Sequence, residues 1–234
     1  MGKEKNPRDN FGITPLHAAA YQGCLNICKV LVYNTTIKNP SDDRGRTPLH
    51  AAAFKGYLEI CSLLVENTNE INPRDERGTT PIELAYQSGN FEICKLLIEN
   101  IDNLDLPHLT MARTNLLFQS ATDGTLVVYK SIIENIAEKN PSDYYGNTPF
   151  HLAACLGHFN LCEIIIEYLC NKNPGNIDDV TPLHEAARQG NLKICSLIIE
   201  HAKEIDVEDN EGQTPKHLAK ENGHHEVEKL FDYQ

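Results

Sequence analysis

Along this chain, short runs in which apolar residues recur every three or four positions alternate with polar stretches rich in Asn, Pro, Asp and Gly. One such passage sets the pattern. Thr47 can cap a helix, Pro48 suits its first position, Leu49 to Ala53 are apolar or small around His50, and Gly56 permits a left-handed exit. A short first helix is predicted there. After Gly56, Leu58, Ile60, Cys61, Leu63 and Leu64 lay an apolar stripe along a second helix ending near Asn67. The two helices form an antiparallel pair. From Ile71 to Gly78 the Pro, Asp and Gly residues favour tight turns, so the link to the next pair projects as a finger of turn and short hairpin.

The same passage returns in register. Its threonine recurs at Thr14, Thr47, Thr80, Thr114, Thr148, Thr181 and Thr214, at spacings of 33, 33, 34, 34, 33 and 33 residues. Five of the seven read Thr-Pro-x-His, ending at His17, His50, His151, His184 and His217. An imidazole placed there can hydrogen-bond back toward its threonine and toward the neighbouring loop, tying one repeat to the next. Asn-Pro stands eight residues ahead of the threonine at Asn6, Asn39, Asn72, Asn140 and Asn173. A unit of this size cannot bury a core alone, so each helix pair is covered by its neighbours in a stack. Function then belongs to a surface rather than an enclosed pocket.

The pattern bends in the middle and differs at the ends. Thr114-Asn115-Leu116-Leu117 lacks the Pro and the His, Ala112 replaces the turn glycine, and Gly124 comes one residue late. The preceding finger from Asp102 is unlike the others, and Glu83 stands where a histidine is expected. The missing caps predict the weakest junction of the stack here, while a finger shaped for one partner is the competing reading. The last repeat presents a charged outer face (Lys216, Lys220, Glu221, Glu226, Glu228) suited to a terminal cap. The first is as apolar as an interior repeat, which suggests either part of a longer array or an N-terminal face that meets something else.

Composition narrows the classes. With 21 Lys and Arg against 33 Asp and Glu, the formal net charge is −12, which repels phosphate backbones and anionic lipid. Nucleic acid and membrane are not expected partners. Five of the eight cysteines (Cys28, Cys61, Cys94, Cys162, Cys195) fall fourteen residues after a repeat threonine, as a buried apolar position would. Free thiols in a reducing compartment are expected, which points to the cytoplasm, with the nucleus also open. No zinc-ligand motif, nucleophile elbow or phosphate-cradling loop is present. No cofactor or metal is expected, and the chain is read as a non-enzyme; an enzyme or metal protein is the alternative.

Asp-x-x-Gly-x-Thr-Pro-Leu-His-x-Ala-Ala, then Gly, then an apolar second helix, resembles the ankyrin repeat, and the resemblance covers essentially the whole chain. One departure is general: the family's Gly-Ala after the second helix is replaced by residues such as Thr35-Thr36, Thr68-Asn69 and Ala202-Lys203. The resemblance implies an all-α ankyrin-repeat solenoid of helix-turn-helix units with projecting fingers. It is read as one domain over 1–234, with repeats at 6–38, 39–71, 72–105, 106–139 (degenerate), 140–172, 173–205 and 206–234. It also implies a monomeric scaffold, adaptor or occluding inhibitor or chaperone that binds another protein through finger tips and first helices. On that surface aromatics and arginines are the usual anchors, which singles out Phe11, Tyr21, Arg44, Arg46, Phe54, Arg77, Tyr144 and Tyr145. Leu64, then Glu70-Ile71-Asn72, is similar to the site that asparaginyl hydroxylases modify in ankyrin fingers; the plainer reading is that Asn72 braces its finger.

Overall fold

Each repeat threonine that is followed by proline opens a helix. In the computed structural model, which describes residues 7–101, 107–136 and 138–233, all regular elements are helical and no strand occurs among the described residues. Thr47 shows how the opening works. Its extended backbone (φ −110°, ψ 164°) turns the chain into the helix, Pro48 fills the first position, and the Thr47 N–H donates to His50 Nδ1 at 3.0 Å. Where the histidine is Glu83, its carboxylate takes the same role, accepting the Thr80 N–H at 2.8 Å.

The chain divides into two compact units, Met1–Asp105 and Leu106–Gln234. The first holds three helix pairs: α1 (Pro15–Gln22) with α2 (Leu25–Asn34), α3 (Pro48–Lys55) with α4 (Leu58–Glu66), and α5 (Pro81–Gln87) with α6 (Phe91–Asn100). The short helices α1, α3 and α5 pack side by side in one row and α2, α4 and α6 in another. Leu16, Leu49 and Ile82, each two residues after the threonine, are buried between the rows together with Cys28, Cys61 and Cys94. Removing each such leucine from water contributes about 1.5–3 kcal/mol. In the first repeat the outer face of α2 stays open. Ile27 is 54% exposed, whereas Ile60 and Ile93 at the same register position are 2% exposed beneath the preceding pair.

The second unit carries α7 (Pro107–Asp123) with α8 (Leu126–Asn135), α9 (Pro149–Leu156) with α10 (Phe159–Tyr168), α11 (Pro182–Arg188) with α12 (Leu192–His201), and α13 (Pro215–Glu221) with α14 (His225–Leu230). Here the rows are α7, α9, α11, α13 and α8, α10, α12, α14. Helix α7 departs from the register. It runs for 17 residues and places Thr114 inside the helix rather than at its mouth. The reason is local. With Leu109 in place of the turn aspartate, Ala112 in place of glycine and Asn115 in place of proline, nothing interrupts the helix. Residues 102–106 of the irregular finger, like Asn6, lie outside the described residues.

The second helices end without a glycine. Asn34, Asn67, Asn100 and Asn135 each turn their side-chain amide back onto the carbonyl four residues earlier, at 2.8 Å. Lys38, Lys139 and Lys172 add their ammonium groups to carbonyls of the last turn. These donors satisfy carbonyls that the helix leaves open and complement its negative end.

Candidate functional site

The fingers of the first unit are built on an aspartate five residues before the threonine. Asp42 Oδ1 accepts the amides of Arg44 and Arg46 at 2.9 and 2.8 Å, and Asp75 Oδ1 accepts those of Arg77 and Thr79 at 2.9 and 2.8 Å. Each finger is thus held as a compact turn by one carboxylate. Burial pushes the Asp42 carboxyl up, but the Arg46 and Arg44 amides and the Arg46 guanidinium outweigh it, holding the group below its ordinary value of 3.8.

Successive fingers are stitched together by single backbone bonds. Asp43 N–H donates to the Phe11 carbonyl at 3.1 Å, and Glu76 N–H to the Arg44 carbonyl at 3.0 Å. The histidines fasten the fingers to the helices. Nε2 of His17 lies 2.9 Å from the Arg46 carbonyl, and Nε2 of His50 lies 3.2 Å from the Thr79 carbonyl. The result in the first unit is an open cleft of about 790 Å³ between the fingers and the exposed faces of α1, α3 and α5.

Five of the sequence-expected contact residues line this cleft: Tyr21, Arg44, Arg46, Phe54 and Arg77. Tyr21 and Phe54 are each 49% exposed and hold the same place in consecutive repeats. Lys55 sets its ammonium over both rings, 4.4 Å from the Tyr21 centroid and 5.7 Å from that of Phe54. The positions seven and eight residues after the threonine bring these three together across the repeat boundary. Arg46 is already engaged: its Nε and Nη2 donate to Asp42 Oδ2 at 3.1 and 3.0 Å. Arg44 and Arg77 remain exposed on their finger tips.

Phe11 sits on the finger of the first repeat, 70% exposed and outside the lining of the cleft. Tyr144 and Tyr145 belong to the second unit. They meet edge to face, with centroids 5.5 Å apart, on an exposed finger tip near the exposed Ile177, whose N–H donates to the Tyr145 carbonyl at 3.1 Å. Asn72 is partly buried, and its Oδ1 accepts the Ile82 amide at 3.2 Å, as Asn39 does for Leu49 at 3.2 Å and Asn173 for Leu183 at 3.1 Å. The asparagine therefore braces its finger against the following helix.

A second set of inter-repeat bonds escaped the sequence reading. In four repeats the residue after the helix-ending glycine reaches back to carbonyls near the end of the preceding repeat's first helix. Asn90 Nδ2 donates to Ala53 O at 2.9 Å, His158 Nε2 to Thr122 O at 2.8 Å, Asn191 Nδ2 to Ala154 O at 2.9 Å and His224 Nε2 to Arg188 O at 3.1 Å. His158 and His224 are thus structural donors. Among the described residues no group of three or more His, Cys, Asp or Glu is arranged to hold a metal ion, and no helix is long and apolar enough to cross a membrane.

The family profile for ankyrin repeats (3 copies) matches residues 1–75, 37–107, 85–176 and 165–233. No curated protein matches the chain. With threonine-capped short helices, paired second helices, turn fingers and a profile match across its length, the chain belongs to the ankyrin-repeat family, whose members are protein–protein interaction modules.

Proposed function

We propose that this protein acts without catalysis of its own, as a scaffold, adaptor or occluding inhibitor or chaperone, and that its partner lies in the cleft of the first compact unit. The observation that carries this reading is the row formed by Tyr21, Phe54 and the Lys55 ammonium, half open to solvent beside two unengaged arginine finger tips. Rigid aromatics flanked by guanidinium groups are the usual anchors of an interface. The Tyr144–Tyr145 pair is the corresponding candidate in the second unit. The reading includes seven repeats in one ankyrin domain, a monomeric state and residence in the cytoplasm or nucleus, supported by the repeat register, the acidic charge and the eight free thiols. Asn72 is kept as a hydroxylation candidate, to be checked by a gain of one oxygen in intact mass.

The test is affinity capture from the source cell followed by calorimetry with the partner identified. Alanine at Phe54 should weaken binding of a partner seated in that cleft by about 1–3 kcal/mol, and alanine at Tyr145 should do the same for a partner seated on the second unit, with thermal melting unchanged. A partner whose affinity ignores both substitutions rules out this surface.

A further inference from the structure

We infer that the cleft of the first unit takes an extended acidic peptide segment in a polyproline-II-like conformation, with carboxylates three residues apart on Arg44 and Arg77 and apolar side chains on Tyr21 and Phe54. The inference rests on the reading of that cleft as the partner site and names the chemistry of the ligand. It comes from charge and spacing. Arg44 and Arg77 each stand three residues before a repeat threonine, so they are equivalent positions one repeat apart. Both are exposed, and neither takes part in the ion pairs formed among the described residues.

Of the aspartates near them, Asp43 is exposed but lies outside the lining of the cleft, and the two that line it are turned away. Asp42 and Asp75 aim Oδ1 at backbone amides, and Asp42 gives Oδ2 to Arg46, leaving its side chain 4% exposed. Of the carboxylates lining the cleft only Glu76 is exposed; the lining also carries Arg44, Arg77 and the 45% exposed Arg46 side chain, and Lys55, outside the lining, sets its ammonium over the Tyr21 ring. A chain with net charge −12 therefore presents mainly cationic donors at this one place. Guanidinium forks match carboxylates in geometry as well as charge.

Spacing selects the ligand's conformation. Helices packed side by side lie about 8–10 Å apart, so equivalent residues of neighbouring repeats repeat at about that distance. A polyproline-II segment advances about 3.1 Å per residue with three residues per turn, which returns every third side chain to one face after about 9 Å. A β-strand would turn residues i and i+3 to opposite faces. The aromatic row has the same period as the arginine row, because Tyr21 and Phe54 each follow their threonine by seven residues. Polyproline-II ligands dock on such aromatic-lined grooves. An acid-x-x-acid segment with Pro or Leu between the acids meets both rows at once.

The experiment is fluorescence anisotropy of the full chain with fluorescein-labelled repeats of Glu-Pro-Leu, with the Gln-Pro-Leu counterpart, and with an isomer of the first in which the glutamates are adjacent. The Glu-Pro-Leu peptide should bind saturably, lose affinity as salt is raised, and bind at least about tenfold more tightly than the other two. Arg44→Ala with Arg77→Ala should remove about tenfold or more with unchanged melting, and Arg44→Glu with Arg77→Glu should transfer binding to a Lys-Pro-Leu peptide. Equal binding of the Glu and Gln peptides, indifference to the arginine changes, or binding only of a phosphoserine version overturns the inference. The two readings fail separately. A captured partner that needs Tyr21 and Phe54 but ignores Arg44 and Arg77 leaves the cleft as the partner site and ends the acidic-ligand inference. A captured partner that ignores Tyr21 and Phe54 as well ends both.

Discussion

The imidazole Nε2 of His151 lies 3.0 Å from the carbonyl oxygen of Val180, 29 residues further along the chain. Its Nδ1 accepts the Thr148 N–H at 3.0 Å. A carbonyl only accepts and an amide N–H only donates, so the ring is neutral with its proton on Nε2. His17 with Arg46, His50 with Thr79 and His184 with Gln213 repeat the arrangement, at 2.9, 3.2 and 3.1 Å. One side chain thus caps its own helix and holds the next finger.

Acid should weaken the stack through these rings. Burial lowers the His151 pKa from 6.5 to about 4, against smaller opposing effects of the Val180 carbonyl and the Asp143 charge, and burial likewise lowers those of His17, His50 and His184. Because the folded value is the lower one, the unfolded chain binds the proton first. The contribution is complete above about pH 6.5 and is lost as pH falls toward about 4. Urea denaturation from about pH 7.5 to about pH 5 should show a loss of about 2 kcal/mol from His151 alone. His151→Gln should remove that portion of the slope, whatever it does to stability at neutral pH. Identical pH dependence in the two proteins would refute the assignment.

How much of this was legible follows from where the information lies. The Thr-Pro-x-His box is local chemistry, so the five helix openings that carry it and the buried cysteines fourteen residues after the repeat threonine could be read directly. Helix α7 could not be read from the register, because Thr114 looked like one more opening residue. The information was in the absence of Pro, Gly and Asp around it, which lets a helix run on. The bonds from Asn90, His158, Asn191 and His224 were hidden for another reason. Different side chains perform the same task there, and only the shared position after the glycine marks it. Arg46 was legible as a surface arginine, but its pairing with Asp42 depends on the turn that brings the two side chains together.

Asp179 has φ 55°, the only left-handed residue other than glycine among the described residues. Gly12, Gly45, Gly78, Gly146 and Gly212 occupy the equivalent place in other repeats, at φ 74° to 79°. Asp tolerates this region better than most residues but still carries its steric cost. Asp179→Gly should therefore raise stability by about 0.5–1 kcal/mol, seen as a higher melting temperature. A fall in melting temperature would mean that the side chain does more than the backbone geometry implies.

Thiol chemistry should divide the cysteines into classes. Cys28, Cys61, Cys94, Cys162 and Cys195 are fully buried, and burial pushes the Cys28 thiol up to about 11 and the other four to about 12. Cys170 is exposed, and Cys24 and Cys155 are intermediate. Brief alkylation near pH 8 followed by peptide mapping should label Cys170 first. The five register cysteines should react only as the repeats unfold, so their labelling should accelerate with urea. Rapid native labelling of Cys61 would contradict the packing of its repeat.

Two glycines separate backbone strain from the bond that fastens one repeat to the next. Gly190 and Gly223 have nearly the same backbone, at φ +75° and +77°, so alanine costs about 1–2 kcal/mol of steric strain at either place. Their surroundings differ. A methyl group on Gly190 would lie 2.5 Å from His224 Nδ1 and 2.8 Å from its Cγ, whereas one on Gly223 meets nothing within 4 Å. The ring would have to shift, and with it the bond from Nε2 to the Arg188 carbonyl. Gly190→Ala should then cost about 1–2 kcal/mol more than Gly223→Ala in urea denaturation. In the His224→Ala background the excess should vanish, because the obstacle and the bond are both gone. An excess that persists without the imidazole would place the cost in the backbone of Gly190 and not in its contact with His224.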